Sequence, residues 1–499
     1  MKRRPLANND ALTDHRSCGT IIIREERASN ASLLSDTVSF RKTSPVVKSS
    51  GNTRITLAWS VGREKGDGRL PLEASTAETM QMVKRALILI EGHRGNGPLY
   101  VEAAQRLGLH PITLATDPAH YEYVAVGNAE AIKIDTSNLD ALIRECYRLQ
   151  SSFDIAGITG FAGRDESIYV TVSKLCCHFK LPGPNPASIE GCFDKFTQRQ
   201  LLTRSGVPTP AYRIAENAAE VEKSAAEIGL PVVLKPVAGS GSTGVRLCSD
   251  ADELAEHAAY LLCAEHAGGS SQRLLIEEFA QGPHYSVDTM GNEVIGIGAV
   301  DFGRPPHFIA QKSIFPAPLP HDKYQQIADI ALCCLRALGL GWGPANLEMR
   351  WTKRGPLAIE VNPRLPGCST PRLIQLAYGV DLITEHIKLV IGEEWDSPIS
   401  HSQTAAAQFL VPDRDGTFDW IAGDSRAAAE TGVAEVELYV KPGMSIVRKG
   451  DDRDLIGHVM VASPDLVCTE AILKRAVNLI RWSITPLAVS GEQKQSDGA

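Results

Sequence analysis

The chain has 499 residues, 43% apolar and 22% charged, with a formal net charge of -8. That length calls for about two to four domains or a multi-lobed enzyme, of globular composition. The modest negative charge gives no basis for nucleic-acid or membrane-surface binding, and no apolar run is long enough to span a bilayer.

Residues 1–82 are rich in Ser, Thr, Asn and Arg, and only "TIIIREE" and "TRITLAW" have strand character. The composition predicts either a poorly ordered leader or a start assigned too far upstream. "MKRR" is not followed by a continuous apolar core, so it reads as a poor secretory signal. Eleven cysteines form no C-x-x-C pair, and Cys176–Cys177 and Cys333–Cys334 sit in apolar segments. Reduced core thiols and a cytoplasmic location are expected.

From Lys84 the pattern changes. "RALILI" reads as a buried strand, "EGHRGNG" as a loop, "PLYVEAAQRLG" as an amphipathic helix and "PITLAT" as a second strand. "FDIAGITGF" and "ESIYVTVSKLCCHFK" repeat strand then helix, the alternation of a parallel sheet with helices on both faces. The loop lacks the G-x-G-x-x-G spacing of a dinucleotide site, so its glycines are read as turn residues. "LPGPNP" (181–186) marks a boundary, followed by one helix ending at Gly206. Next come "LPVVLKPVAGSGSTGVRLC" as strand, Gly/Ser loop and strand, a helix over "DADELAEHAAYLLCAEH", and antiparallel strands over "QRLLIEEFAQGPHYSVDTMGNEVIGIGAV". The segment from about Ser402 reads as a separate α+β cap.

Two later strands carry the chemistry. "NLEMRW" (346–351) alternates Asn346, Glu348 and Arg350 against apolar residues, and "AIEVNPRLPG" (358–367) alternates Glu360, Asn362 and Arg364. "TKRGP" between them has hairpin length. With the turn centred on Arg354, Glu348 lies opposite Glu360 and Asn346 opposite Asn362. Facing carboxylates destabilise a sheet and should not both ionise, unless a divalent cation lies between them. Oxygen-only ligands point to Mg²⁺, which serves phosphates. The loop "AGSGSTG" (238–244) supplies backbone and hydroxyl donors for such phosphates, and is no Walker loop because no G-K-[ST] follows. Lys235 ends the strand before it and needs an anionic partner; Lys195 lies on the preceding helix.

Strand-Lys with its Gly/Ser loop, then "LLIEEFAQGPHYSVD", then "NLEMR" and "AIEVNPR", in this order, resemble the ATP-grasp superfamily over about Leu87 to Glu394. The resemblance implies an α/β and α+β architecture: an N-terminal Rossmann-like parallel-sheet domain (83–187), an ATP-grasp domain with the nucleotide between two subdomains (188–400), and a C-terminal α+β cap and tail (401–499). It implies that Lys195 and Lys235 hold the α- and β-phosphates, that Gly239, Ser240, Gly241, Ser242, Thr243 and Gly244 close over the β- and γ-phosphates, and that Glu277, Glu278, Phe279 and Ala280 form the adenine hinge. Glu348, Glu360 and Asn362 would bind two Mg²⁺ ions, with Mn²⁺ as a substitute, and Arg364 would steady an acyl phosphate.

The absence of a Val-Glu-His segment after "NPR" argues against a biotin carboxylase. "NPRLPGCST" has some similarity to the D-alanine ligase ending, whereas the ordering of the whole, with "RLIQLAYGVDLITEHIKLVIGE" and a C-terminal cap, is more similar to L-amino-acid ligases that make dipeptides; Gly367, Ser369 and Thr370 are either ordinary turn residues or receivers of a substrate carboxylate. Those ligases carry a Glu and a His before "FPAPLP"; here Gln311, Lys312 and Ser313 stand nearby and His307 lies earlier, so Lys312 and His307 join Arg364 as catalytic candidates. His284 occupies a position where many relatives carry an acid, and is taken as nucleotide-binding. The activity implied is ATP-driven coupling of an amino acid carboxylate to an amine, with a possible homodimer. The alternatives are a purine-pathway or carboxyphosphate-forming ligase, and a nucleotide-binding regulatory module.

Overall fold

The computed structural model describes residues 83–126, 130–161, 166–263, 273–367 and 370–486. "TIIIREE", "TRITLAW" and the proposed leader lie outside the described residues, as does Ser369. Strands β1 (Lys84–Ile90), β2 (His110–Ala115), β3 (Glu130–Lys133) and β4 (Phe153–Gly160) form a parallel sheet in the order β3-β2-β1-β4. Helices Asn96–Arg106, Leu139–Leu149 and Ser167–Phe179 flank it. The last five residues of β1 are buried. A parallel strand covered on both faces has no polar side, so "ALILI" does not alternate.

The single helix expected after "LPGPNP" is two helices, Pro186–Phe193 and Lys195–Arg204. Asp194 separates them in extended backbone (φ -91°, ψ 113°), and its carboxylate accepts from Thr197 N at 2.7 Å. A capping Asp offers the backbone an alternative to the helical ladder. The break makes Lys195 the first residue of a helix, with its N–H donating to Val237 O at 2.8 Å.

A second sheet is antiparallel: β5 (Tyr212–Ala215), β6 (Val232–Pro236), β7 (Arg246–Cys248) and β8 (Leu274–Glu278), in the order β5-β8-β6-β7. The third contains β9 (His284–Met290), β10 (Glu293–Asp301), β11 (Lys312–Phe315), β12 (Pro344–Thr352), β13 (Gly355–Asn362) and β14 (Thr404–Leu410). Beyond β14 the chain forms β15 (Gly416–Ala422), β16 (Val433–Leu438), β17 (Ser445–Ile446), β18 (Gly457–Ser463) and β19 (Arg481–Thr485). The third sheet runs β13-β12-β9-β10-β11-β14-β18-β16, antiparallel throughout, while β17-β15-β19 make a small sheet of their own. The C-terminal segment is therefore continuous with the central sheet. Pairing of β14 on β11 covers what would be an open edge there.

One apolar cluster crosses these layers. Leu87 of β1, Phe315 of β11, Ile374 and Ile387 of the helices Thr370–Tyr378 and Leu382–Val390, Ala405 of β14 and Met460 of β18 share a core. The cysteines of the described residues are all free thiols. None of the described helices is long and apolar enough to cross a membrane.

Candidate functional site

A cavity of about 360 Å³ lies between the second and third sheets. Its floor is the third sheet, where three strands set side chains in rows. Asp288, Asn346 and Asn362 pair across β9, β12 and β13, as do Ser286, Glu348 and Glu360 in the next row. The expected facing of the two glutamates is present, but a bulge produces it. Thr352 pairs with Gly355 around a two-residue turn, a register that would set Glu348 opposite Ile359. The shift between Glu348 and Met349 makes Ile359 the extra residue and restores Glu348 to Glu360. Without it Glu360 would share the face of Leu347, a core residue. Arg199 Nη2 donates to the Ile359 carbonyl and holds the bulge.

The opposite wall carries the lysines. Lys195 Nζ lies 3.1 Å from Glu360 Oε1 and donates to Gly239 O at 2.5 Å. Lys235 Nζ and Arg199 Nε both reach Glu277, each at 2.5 Å. Glu277 is 3% exposed, so this carboxylate serves as the buried counter-ion of Lys235. Burial opposes its ionisation, yet Arg199 and Lys235 outweigh burial and hold it below the usual carboxylate range. Its expected place at the strand end beside Glu278, Phe279 and Ala280 is kept, and all four line the cavity. Glu278 is engaged by Arg354 Nη2 at 2.7 Å to each oxygen.

The glutamate pair divides its charge unequally. Burial and the neighbouring Glu360 push Glu348 up to about 7. Burial also opposes ionisation of Glu360, but Lys195 and Lys235 outweigh it and keep it ionised. Among the described residues the one basic group within 4.0 Å of Glu348 is His284 Nε2, at 3.8 Å. Burial lowers that imidazole to about 3, so it is neutral and supplies no charge. Glu348 thus faces the cavity as an oxygen donor next to Glu360 and Asn362, with no lysine or arginine within 4.0 Å of it among the described residues. An all-oxygen donor set of two carboxylates and an amide fits Mg²⁺.

The loop 238–244 roofs this floor. Gly239, Gly241, Ser242 and Gly244 have left-handed backbone (φ 120°, 62°, 61° and 71°), which explains its glycine content. Gly241 meets the C-terminal segment: its carbonyl accepts from Asp452 N at 3.2 Å, and a Cβ there would lie 2.3 Å from Asp452 Oδ2. At the other end Phe279, Phe302 and Phe308 line the cavity, with Arg350 stacked 5.6 Å over Phe279 and 5.7 Å over Phe308. Arg364 faces the cavity from beyond Asn362, with Nη2 3.1 Å from Glu166 Oε1. His93 and Asn96 close that side.

Two catalytic candidates are not brought here. Lys312 pairs with Glu470 at 3.0 Å, because alternate residues of β11 point to opposite faces and Ser313 takes the cavity side. The ring of His307 packs over Gly450, away from the cavity wall. Sequence reasoning missed Glu166, Ser286, Asp288, Phe302, Phe308 and Asp452. The alternation in "HYSVD" was the available signal for Ser286 and Asp288; Glu166 and Asp452 reach the site only through long-range folding.

The chain belongs to the ATP-grasp superfamily of carboxylate–amine ligases. The family described as Carbamoyl-phosphate synthase L chain, ATP binding domain, matches residues 194–397, and L-amino acid ligase C-terminal domain 2 matches residues 408–485. The chain is 56% identical to the uncharacterized protein y4rH of Sinorhizobium fredii (strain NBRC 101917 / NGR234), over 84% of this chain and 87% of that one. It is 28% identical to carnosine synthase 1 of Mus musculus over 67% of this chain and 44% of the relative, so it spans less than half of that relative's length. Its fold is similar to the crystal structure of L-amino acid ligase from Bacillus licheniformis, with a TM-score of 0.69 and 21% identity, over 81% of this chain and 99% of that one.

Proposed function

We propose that the protein joins the carboxylate of one amino acid to the amine of a second, forming a dipeptide while ATP becomes ADP and phosphate. The observation that carries this is the Glu348–Glu360 pair, set by a bulge on the same floor as Asn362 and facing Lys195 and Lys235. Similarity to L-amino acid ligase in fold and in the C-terminal segment, and to carnosine synthase in sequence, supports amino acids as the substrate class.

In this reading Lys195, Lys235 and the glycine loop hold the phosphates, and the phenylalanine slot takes the adenine. Mg²⁺ would be held by Glu348, Glu360 and Asn362, and would supply positive charge to the phosphates. Arg364, oriented by Glu166, steadies the negative charge that builds on the carboxylate as it is phosphorylated and then attacked by the amine. The loop 238–244 and the Asp452 turn keep water from the activated carboxylate.

The test is incubation with ATP, Mg²⁺ and pairs of amino acids, read by phosphate release and product mass. A product weighing the two substrates less one water is expected, lost in Glu360→Gln with the melting temperature retained. Phosphate release that answers only to bicarbonate or a ribotide amine would contradict the proposal.

A further inference from the structure

Asn346 is the middle residue of a row that crosses three strands. It pairs with Asp288 of β9 on one side and with Asn362 of β13 on the other. Side chains opposite each other on one sheet face have Cβ atoms about 4.5–5.5 Å apart, so each end of its amide can reach one neighbour. Asn346 is buried and lines the cavity together with Asn362.

The β9 side decides which end of the amide points where. Asn346 Nδ2 donates to Ser286 Oγ at 2.8 Å and to Asp288 Oδ1 at 2.9 Å. Ser286 also hydrogen-bonds the Asp288 carboxyl, so its hydroxyl hydrogen is committed and its oxygen accepts from Asn346. Both acceptors stand on β9, and both N–H bonds of the amide are used. Oxygen and nitrogen diverge from Cγ in a planar amide, so Asn346 Oδ1 is directed away from β9, toward Asn362.

Asn362 lacks such an anchor. No hydrogen bond holds its side-chain amide among the described residues. An amide of this kind can turn either its oxygen or its NH₂ toward the floor, and only the oxygen can ligate a hard cation. A neighbouring acceptor removes that ambiguity. When Nδ2 is drawn to an oxygen on β12, Oδ1 is left for the cation.

We propose that Asn346 is a positioning residue: anchored by Ser286 and Asp288, its Oδ1 accepts from Asn362 Nδ2 and turns Asn362 Oδ1 toward Mg²⁺. The proposal rests on the metal reading of the ligase site. Partners that orient a metal ligand in this way contribute roughly 10–100-fold to cation affinity.

Mn²⁺ is the probe, titrated into the protein without nucleotide, with the unbound ion read from its electron spin resonance signal. Asn346→Leu should weaken Mn²⁺ binding at least about tenfold. Ser286→Ala should act in the same direction, whereas Ser286→Thr, which keeps the hydroxyl, retains the affinity. In Asn362→Asp both ends of the side chain are oxygen and no orientation is needed. Adding Asn346→Leu to that variant should change the affinity by less than about twofold. Melting temperatures confirm that each variant folds, and ADP binding in EDTA, which reads the nucleotide site without any cation, stays as in the wild type. An equal loss of Mn²⁺ affinity from Asn346→Leu in both backgrounds, or a matching loss of ADP binding in EDTA, would overturn this inference alone. No Mn²⁺ binding by the wild type would overturn the metal reading and this inference with it.

Discussion

Glu348 carries a specific consequence for pH. In the unfolded chain its carboxyl ionises near the usual glutamate value of 4.5, whereas burial and Glu360 raise it to about 7 in the fold. The native state therefore binds more protons than the unfolded state between these values. Stability without metal falls as pH rises through that window. A cation held by the pair reverses the sign, because it binds the ionised form. Titration calorimetry of Mg²⁺ or Mn²⁺ in buffers of differing ionisation enthalpy should show about one proton released per cation near pH 6 and little near pH 8. Equal release at both would contradict a protonated Glu348. The alternation of Glu348 and Glu360 was legible in the sequence, since period 2 puts each on a polar strand face. Their register was reached through a symmetric turn, while the fold uses a tighter turn and a bulge. A bulge leaves no mark in residue type, so that device was not legible.

At the scale of elements, the glycine flap and the turn Asp452–Asp454 act on each other. The turn is fixed from within: Asp454 accepts from Lys449 N at 2.7 Å and Gly450 N at 2.8 Å, and Asp451 pairs with Arg453. Asp452 is the first residue of this 3₁₀ turn, and Asp451 before it is extended (φ -142°, ψ -169°). Proline is tolerated at the first residue of such a turn, and an extended residue before it is what proline favours. Asp452→Pro removes the N–H that reaches Gly241, while Asp452→Ala keeps it. One such bond contributes about 1 kcal/mol, so Asp452→Pro should weaken ATP binding about fivefold and speed hydrogen exchange across 238–244. Identical exchange in the two variants would show that this bond does not hold the flap. The loop itself was evident from its glycines and hydroxyls. Its partner, over 200 residues away in sequence, was not, because Asp452 sits among other acids with no pattern to distinguish it.

At the scale of the whole molecule, the C-terminal strands β14, β18 and β16 extend the central sheet. The sequence shows strands and a late helix after Ser402, but which edge they join is decided by pairing of β14 with β11, and edge choice is not written in local periodicity. The shared core of Leu87, Phe315, Ile387, Ala405 and Met460 ties the N-terminal sheet to these strands. Guanidinium unfolding should accordingly show one transition, with far-UV dichroism and tryptophan fluorescence coincident. Separated transitions would mean that the C-terminal strands unfold by themselves.

The central claim is that a carboxylate is activated by phosphorylation on the floor made by Glu348, Glu360 and Asn362 before an amine displaces phosphate. That sequence moves one carboxylate oxygen into the phosphate released. An amino acid labelled with ¹⁸O in its carboxylate should, with ATP, Mg²⁺ and a second amino acid, yield inorganic phosphate carrying one ¹⁸O for each amide formed. Unlabelled phosphate, or release of pyrophosphate in its place, would contradict the account.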